Sequence, residues 1–139
     1  YGVGQNMRNL KQGMASIYLA MAIKERHISV RGSKDRFRDF VYIDDVVCAF
    51  VSAIDRDGCY ECLNVCTNVP TTVEKVISEI RKRLPYAVTV EYSEGTPGDQ
   101  FGIYGNNGKI TRILDWTPKT NFEDGIEKMI CWAVDESEK

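Results

Sequence analysis

Arg36-Phe37-Arg38-Asp39-Phe40-Val41-Tyr42-Ile43-Asp44-Asp45-Val46-Val47 sets an arginine at the start of an expected strand and an acidic pair at the start of an expected helix. Alternation from Phe40 to Ile43 predicts the strand. Asp44 and Asp45 are placed to cap the helix that follows, where carboxylates satisfy free N–H groups and meet the positive end of the dipole. Arg38 then stands at the strand's entry edge, an arrangement suited to a phosphorylated ligand. The residues alone leave a second role open, in which Arg38 pairs with Asp39, Asp44 or Asp45 on a solvated surface.

Outward from this stretch, strands and helices alternate. Apolar residues recur at helical spacing from Leu10 to Lys24, with Asn9 a good N-cap, and Ile28-Ser29-Val30 reads as a short strand before a turn at Gly32 to Asp35. A helix is expected from about Asp45 to Asp55, then a strand from Glu61 to Val65. Thr71-x-x-Glu74 reads as a capping box opening a helix from Val73 to Leu84, whose apolar face is Val73, Val76, Ile77, Ile80 and Leu84. Val88 to Tyr92 predicts a further strand, Lys109 to Leu114 a short helix and Phe122 to Val134 a last amphipathic one. The alternation defines an α/β class, yet no strand is the long apolar run of a central parallel strand, so the chain reads as the flank of a larger fold. Its opening on Tyr1-Gly2, without methionine, fits a piece cut at a domain edge.

The 139 residues, 43% hydrophobic and 27% charged, suffice for one modest globular unit. No segment approaches the roughly 20 apolar residues of a membrane helix, and the first residues lack the pattern of a signal peptide. A net charge of −2, with bases scattered among acids, argues against nucleic-acid binding. The five cysteines, an odd number without secretory context, predict reduced thiols in the cytoplasm. Cys59, Cys62 and Cys66 cluster, but a structural zinc site wants four ligands and no second pair follows, so no metal is expected. Trp116, Trp132, Met129 and Ile126 read as core.

The run from Arg38 to Val46 resembles the R-D-[FY]-[VI]-[YH]-[VI]-x-D-[VL] signature of extended short-chain dehydrogenase/reductases, the NAD-dependent nucleotide-sugar epimerases and dehydratases. Three further segments are similar to that family in the same order. Tyr1-Gly2-Val3-Gly4-Gln5 resembles its Y-G-P-G-Q, and Glu94 to Asp99 its R-x-G-D loop. Leu114 to Thr120 with Phe122 to Ile126 resembles its L-G-W-x-P ending.

The resemblance implies a C-terminal, substrate-binding lobe together with the last strands and helices of an NAD-binding Rossmann fold, whose N-terminal half is not in this chain. Residues from about 36 to 70 would belong to the edge of that Rossmann core. It implies a sugar nucleotide, most similar to the UDP-linked substrate of UDP-glucose 4-epimerases, as ligand, and a homodimeric parent enzyme. Asn9 and Leu10 would meet the diphosphate at a helix start, Arg38 would bind the same phosphates, Ser29 and Arg31 would hold the base by their backbone, and Asp99 would lie near the ribose. Thr96 stands where many relatives carry a second phosphate-binding arginine. Cys66 and Asn68 replace glycines of the usual N-V-G-T-G turn. The implied reaction oxidises the sugar C4 hydroxyl with tightly held NAD, rotates the ketone and reduces it from the other face. A 4,6-dehydratase, decarboxylase or ketoreductase remains open, as does a stand-alone binding or interaction module without catalysis.

Cofactor binding and catalysis would lie outside these residues. No tyrosine has lysine four positions later, which removes the Tyr-x-x-x-Lys acid/base pair, so the chain alone is expected to be inactive. Gly102-Ile103-Tyr104-Gly105-Asn106-Asn107-Gly108 satisfies G-x-x-G-x-x-G only as a string, since no strand precedes it and a polar turn follows.

Overall fold

The computed structural model describes residues 1–9, 11, 13–54, 60–95, 97–98 and 100–137. The elements run α1 (Met14–Glu25), β1 (His27–Arg31), β2 (Phe37–Asp39), α2 (Ile43–Ile54), β3 (Pro70–Thr72), α3 (Val73–Arg83), β4 (Thr89–Ser93), α4 (Gly108–Leu114) and α5 (Phe122–Ser137). Among the described residues no helix is long and apolar enough to cross a membrane.

Among the described residues two small sheets organise the fold. β1 and β4 are parallel, with His27 opposite Thr89 and Arg31 opposite Ser93. Their parallel pairing needs a crossover, which the intervening helices supply. β2 and β3 are antiparallel, with Phe37, Arg38 and Asp39 opposite Thr72, Thr71 and Pro70.

The larger core lies between α1, β1, α3 and α5, where Leu19, Ile28, Val76, Ile80, Ile126 and Met129 are fully buried. The expected apolar face of α3 is all in it, Leu84 included. A smaller core joins Ala49 of α2 to Ile110 and Trp116. Trp132 packs partly buried against the larger one. Across α3 and α5, Lys75 bonds Glu79 at 2.9 Å and Glu123 at 2.7 Å, and Arg83 bonds Glu79 and Glu127.

Several boundaries differ from the sequence reading, each for a local reason. Helix α1 begins at Met14, with Gly13 as N-cap at φ 89°, and not near Asn9. The Asn9 side chain instead accepts the Lys11 N–H at 3.0 Å, the turn that competes with helix initiation at Asn. Phe40 to Ile43 form no strand; pairing falls on Phe37–Asp39, because the backbone partners, β3 and the segment at Phe101 to Ile103, stand beside those residues. Glu61 to Val65 likewise form no strand, their side chains Leu63 and Val65 packing on the smaller core. The cap of α3 is Thr72, accepting Lys75 N–H at 3.1 Å, one residue later than the expected Thr71 with Glu74, because both threonines lie in β3 and the helix begins only at Val73.

The acidic pair also divides. Asp44 is exposed in the first turn of α2, whereas Asp45 is buried and turns away from the helix end: its carboxylate accepts Lys119 N–H at 3.1 Å and Thr120 N–H at 3.0 Å. Only the buried side of α2 is used. Val47, Phe50, Val51 and Ile54, at helical spacing, are exposed, Phe50 by 68% and Ile54 by 76%.

Candidate functional site

Strand β2 is short, but both its edges are engaged. On the side away from β3, Phe37 N–H donates to the Phe101 carbonyl at 3.2 Å and Ile103 N–H donates to the Phe37 carbonyl at 3.4 Å. Arg38 reaches across the same segment. Its guanidinium donates to the carbonyls of Phe37 at 2.7 Å, Gln100 at 3.0 Å and Phe101 at 3.5 Å. Among the described residues no carboxylate lies within ion-pair distance of Arg38, so pairing with Asp39, Asp44 or Asp45 is not its role. Carbonyl dipoles fix a guanidinium without cancelling its charge, which leaves a pre-oriented cation for an anion.

Asp39 faces a different set of groups. One carboxylate oxygen accepts Thr67 N–H at 2.8 Å and the Thr67 hydroxyl at 2.6 Å; the other accepts Asn68 N–H at 2.9 Å and Gly105 N–H at 3.2 Å. Asn68 holds the left-handed conformation, φ 64°, that the turn requires and that Asn tolerates. Arg38 and Asp39 then line a cleft of about 450 Å³ with Leu63 to Cys66 and Ile103 to Gly105. Burial pushes the Cys66 thiol above its ordinary range, and the Asp39 charge adds to the effect, so the thiol stays protonated. Cys62, by contrast, is exposed; Cys59 lies outside the described residues.

Ser29 and Arg31 share the exposed face of β1, alternating with buried Ile28 and Val30. The end of that strand is tied to the end of β4, Gly32 N–H donating to Ser93 O at 2.9 Å. Gly95 lies against Gly32: a Cβ on it would come within 3.2 Å of the Gly32 Cα. Asn9 is exposed in the loop before α1, away from a helix N-terminus. Leu10, Thr96 and Asp99 lie outside the described residues. The structure thus joins Arg38 to the segment at Gln100 and Phe101, and Ser29 and Arg31 to the strand pair, while no helix dipole serves Asn9.

Asp39 and Tyr104, which line the cleft, and Thr67 and Asn68, which hold Asp39, were not singled out as site residues from sequence. The available signal was Asp39 beside Arg38, and Cys66 and Asn68 in the places where the resemblance led one to expect glycines. Tyr104 stacks near Phe37, ring centroids 6.1 Å apart, and Phe37 also meets Phe101 edge-on.

The glycine string from Gly102 to Gly108 is filled by protein. A Cβ on Gly102 would stand 2.2 Å from the Phe37 ring, and one on Gly105 would stand 2.5 Å from Cys66 Sγ. These glycines let a loop lie flat on β2. Among the described residues no strand leads into them, and α4, which starts at Gly108, has seven residues. They do not fit the pyrophosphate of a dinucleotide, which needs a strand-to-helix turn open to the ligand.

The family described as GDP-mannose 4,6 dehydratase matches residues 2–129, and the chain belongs to it, among the NAD-dependent sugar-nucleotide epimerases and dehydratases. The dTDP-4-dehydro-6-deoxyglucose reductase of Escherichia coli is 28% identical over 130 residues, 94% of this chain and 41% of that protein. A crystal structure of UDP-glucose 4-epimerase from Thermotoga maritima with UDP-glucose superposes with a TM-score of 0.90 at 24% identity, over 100% of this chain and 44% of that one. MoeE5, solved with UDP-glucuronic acid and NAD, superposes with a TM-score of 0.87 at 23% identity, over 98% of this chain and 44% of that one. The chain thus spans less than half the length of these proteins and corresponds to the C-terminal part of the extended short-chain dehydrogenase/reductase fold.

Proposed function

We propose that this chain is the nucleotide-sugar-binding part of an NAD-dependent sugar epimerase or dehydratase, with a UDP-sugar 4-epimerase as the activity of the whole protein. The observation that carries the reading is Arg38, a cation held by main-chain carbonyls on the rim of a cleft and free of carboxylate partners among the described residues. Arg38 binds the diphosphate, Ser29 and Arg31 hold the base, and Asn9 meets the phosphates; Leu10 for the phosphates and Asp99 for the ribose complete the assignment by resemblance and lie outside the described residues. Grip on the remote nucleotide positions the sugar for groups outside these residues, a use of binding energy that does not itself break bonds. The chain by itself is inactive, since it carries neither the cofactor loop nor the Tyr-x-x-x-Lys pair.

Residues from about 36 to 70 form the edge of the nucleotide-binding core. The exposed stripe Val47, Phe50, Val51 and Ile54 is the face that the rest of such a protein covers. The whole enzyme works as a cytoplasmic homodimer. A second reading, sugar-nucleotide reductase, is favoured by the identity to the E. coli reductase.

The test is calorimetric titration of UDP and UDP-glucose into the natural protein carrying this chain, beside its Arg38→Ala variant. Saturable binding that falls at least about tenfold in the variant, as expected for a lost charge-assisted contact, supports the site. Equal binding by both overturns it. Turnover of UDP-glucose against a dTDP-4-keto sugar then separates epimerase from reductase.

A further inference from the structure

The two adjacent residues Arg38 and Asp39 hold the same segment at opposite ends. Arg38 takes the carbonyls of Gln100 and Phe101 at its start, and Asp39 takes the N–H of Gly105 at its end. In between, the Phe37 backbone clasps Phe101 and Ile103. The same Asp39 carboxylate fixes the turn that follows the cleft residue Cys66, through the N–H groups of Thr67 and Asn68 and the Thr67 hydroxyl.

Each Asp39 oxygen accepts two hydrogen bonds, so the carboxylate is saturated by donors. It has no lone pair left for Arg38 or for a ligand. A neutral side chain of the same shape could not do this work: an amide nitrogen in place of either oxygen would face two donors. The negative charge one residue from Arg38 is thereby spent on N–H groups, and the cation keeps its own charge for an anion.

We propose that Asp39 is a positioning residue for the anion site at Arg38: by clamping Gly105 to Thr67 and Asn68 it sets the segment whose carbonyls aim the guanidinium. The proposal rests on the reading of that site as a sugar-nucleotide phosphate site. It adds a determinant that contacts no ligand and acts wholly through Arg38. Its consequence is selective, because a misaimed guanidinium weakens phosphate binding and leaves base recognition at β1 intact.

The test compares UDP with uridine, which lacks the phosphates, by titration of the intact natural protein and its Asp39→Asn, Thr67→Val and Arg38→Ala variants. Asp39→Asn is expected to weaken UDP about tenfold or more with uridine unchanged, Thr67→Val to weaken UDP by a smaller factor in the same sense, and Arg38→Ala combined with Asp39→Asn to fall well short of additive. Additive losses, unchanged UDP affinity, or UDP and uridine weakened alike would each overturn the positioning role and leave the phosphate site standing. Should Asp39→Asn not fold, Thr67→Val decides by the same UDP-to-uridine split. A wild-type protein that binds no UDP overturns the site and the positioning role together.

Discussion

Trp116 donates its indole N–H to the main-chain carbonyl of Asp45, 3.0 Å away and 71 positions earlier in the chain. The Asp45 side chain, 4% exposed, takes the N–H groups of Lys119 and Thr120 on the same loop. Backbone and side chain of one residue therefore hold both ends of a turn that would otherwise bury unpaired donors. Asp45→Ala is expected to lower unfolding free energy by about 2 to 3 kcal/mol, while Asp44→Ala, one residue away and exposed, costs less than about 1 kcal/mol. Urea unfolding followed by tryptophan fluorescence measures both, and equal losses would refute the assignment.

Trp116→Phe keeps the ring in the smaller core and removes only the indole donor. A loss of about 1 to 1.5 kcal/mol is expected from the unpaired Asp45 carbonyl, against about 3 kcal/mol or more for Trp116→Ala, which also opens a cavity. A thermal melt of the two variants reads the difference.

Glu79 joins α3 to α5 through Lys75 and Arg83, and those bonds, Lys75 first, hold its carboxyl below the ordinary value of 4.5 against the opposing effect of burial. A lowered folded value means that the stabilisation is present above the ordinary carboxylate range and disappears as pH falls through the lowered one. Glu79→Gln should therefore be less stable than the natural chain near neutrality and lose less on going from about pH 6 to about pH 3. Denaturant midpoints across that window provide the check; parallel curves would remove Glu79 from acid unfolding.

The close approach of Gly102 to Phe37 leaves no room for a methyl group. Gly102→Ala should push the segment from Gln100 to Gly105 off β2, destabilise by about 1 to 3 kcal/mol and weaken UDP. NAD affinity of the natural protein should stay the same, since this string is packed against protein. A fall in NAD affinity alone would reinstate it as a cofactor loop.

The exposed stripe on α2 predicts self-association of the isolated 139 residues. Phe50→Glu with Ile54→Lys should lower light scattering without changing the circular dichroism of the chain. A parent chain already monomeric at high concentration would contradict the stripe as a buried face.

What could be read from sequence followed the strength of local signals. The α3 face from Val73 to Leu84, the strand at Ile28 to Val30 and the last helix were legible because spacing alone encodes which side is buried. The Phe40 to Ile43 alternation misled, since a strand needs a partner backbone and the partners stand beside Phe37 to Asp39. Thr71 and Thr72 are equivalent caps in sequence; β3 pairs both, and only Thr72 stands next to the first helical residue, Val73. Arg38 stood out in the sequence as a candidate, through its place before the acidic pair. Asp39 did not, because its partners at Thr67 and Gly105 are 28 and 66 positions distant and nothing local points to them.

His27 and Thr89 pair across 62 residues of chain, and the exposed face bearing Ser29 and Arg31 exists only once that closure is made. Contacts of such separation form at a high entropic cost. A nucleotide bound at this face, as proposed, would recognise finished molecules and add its binding energy to a long-range closure of the chain. Under the proposed function, substrate would act there as a folding ligand as well, coupling the protein's half-life in the cell to the supply of what it binds.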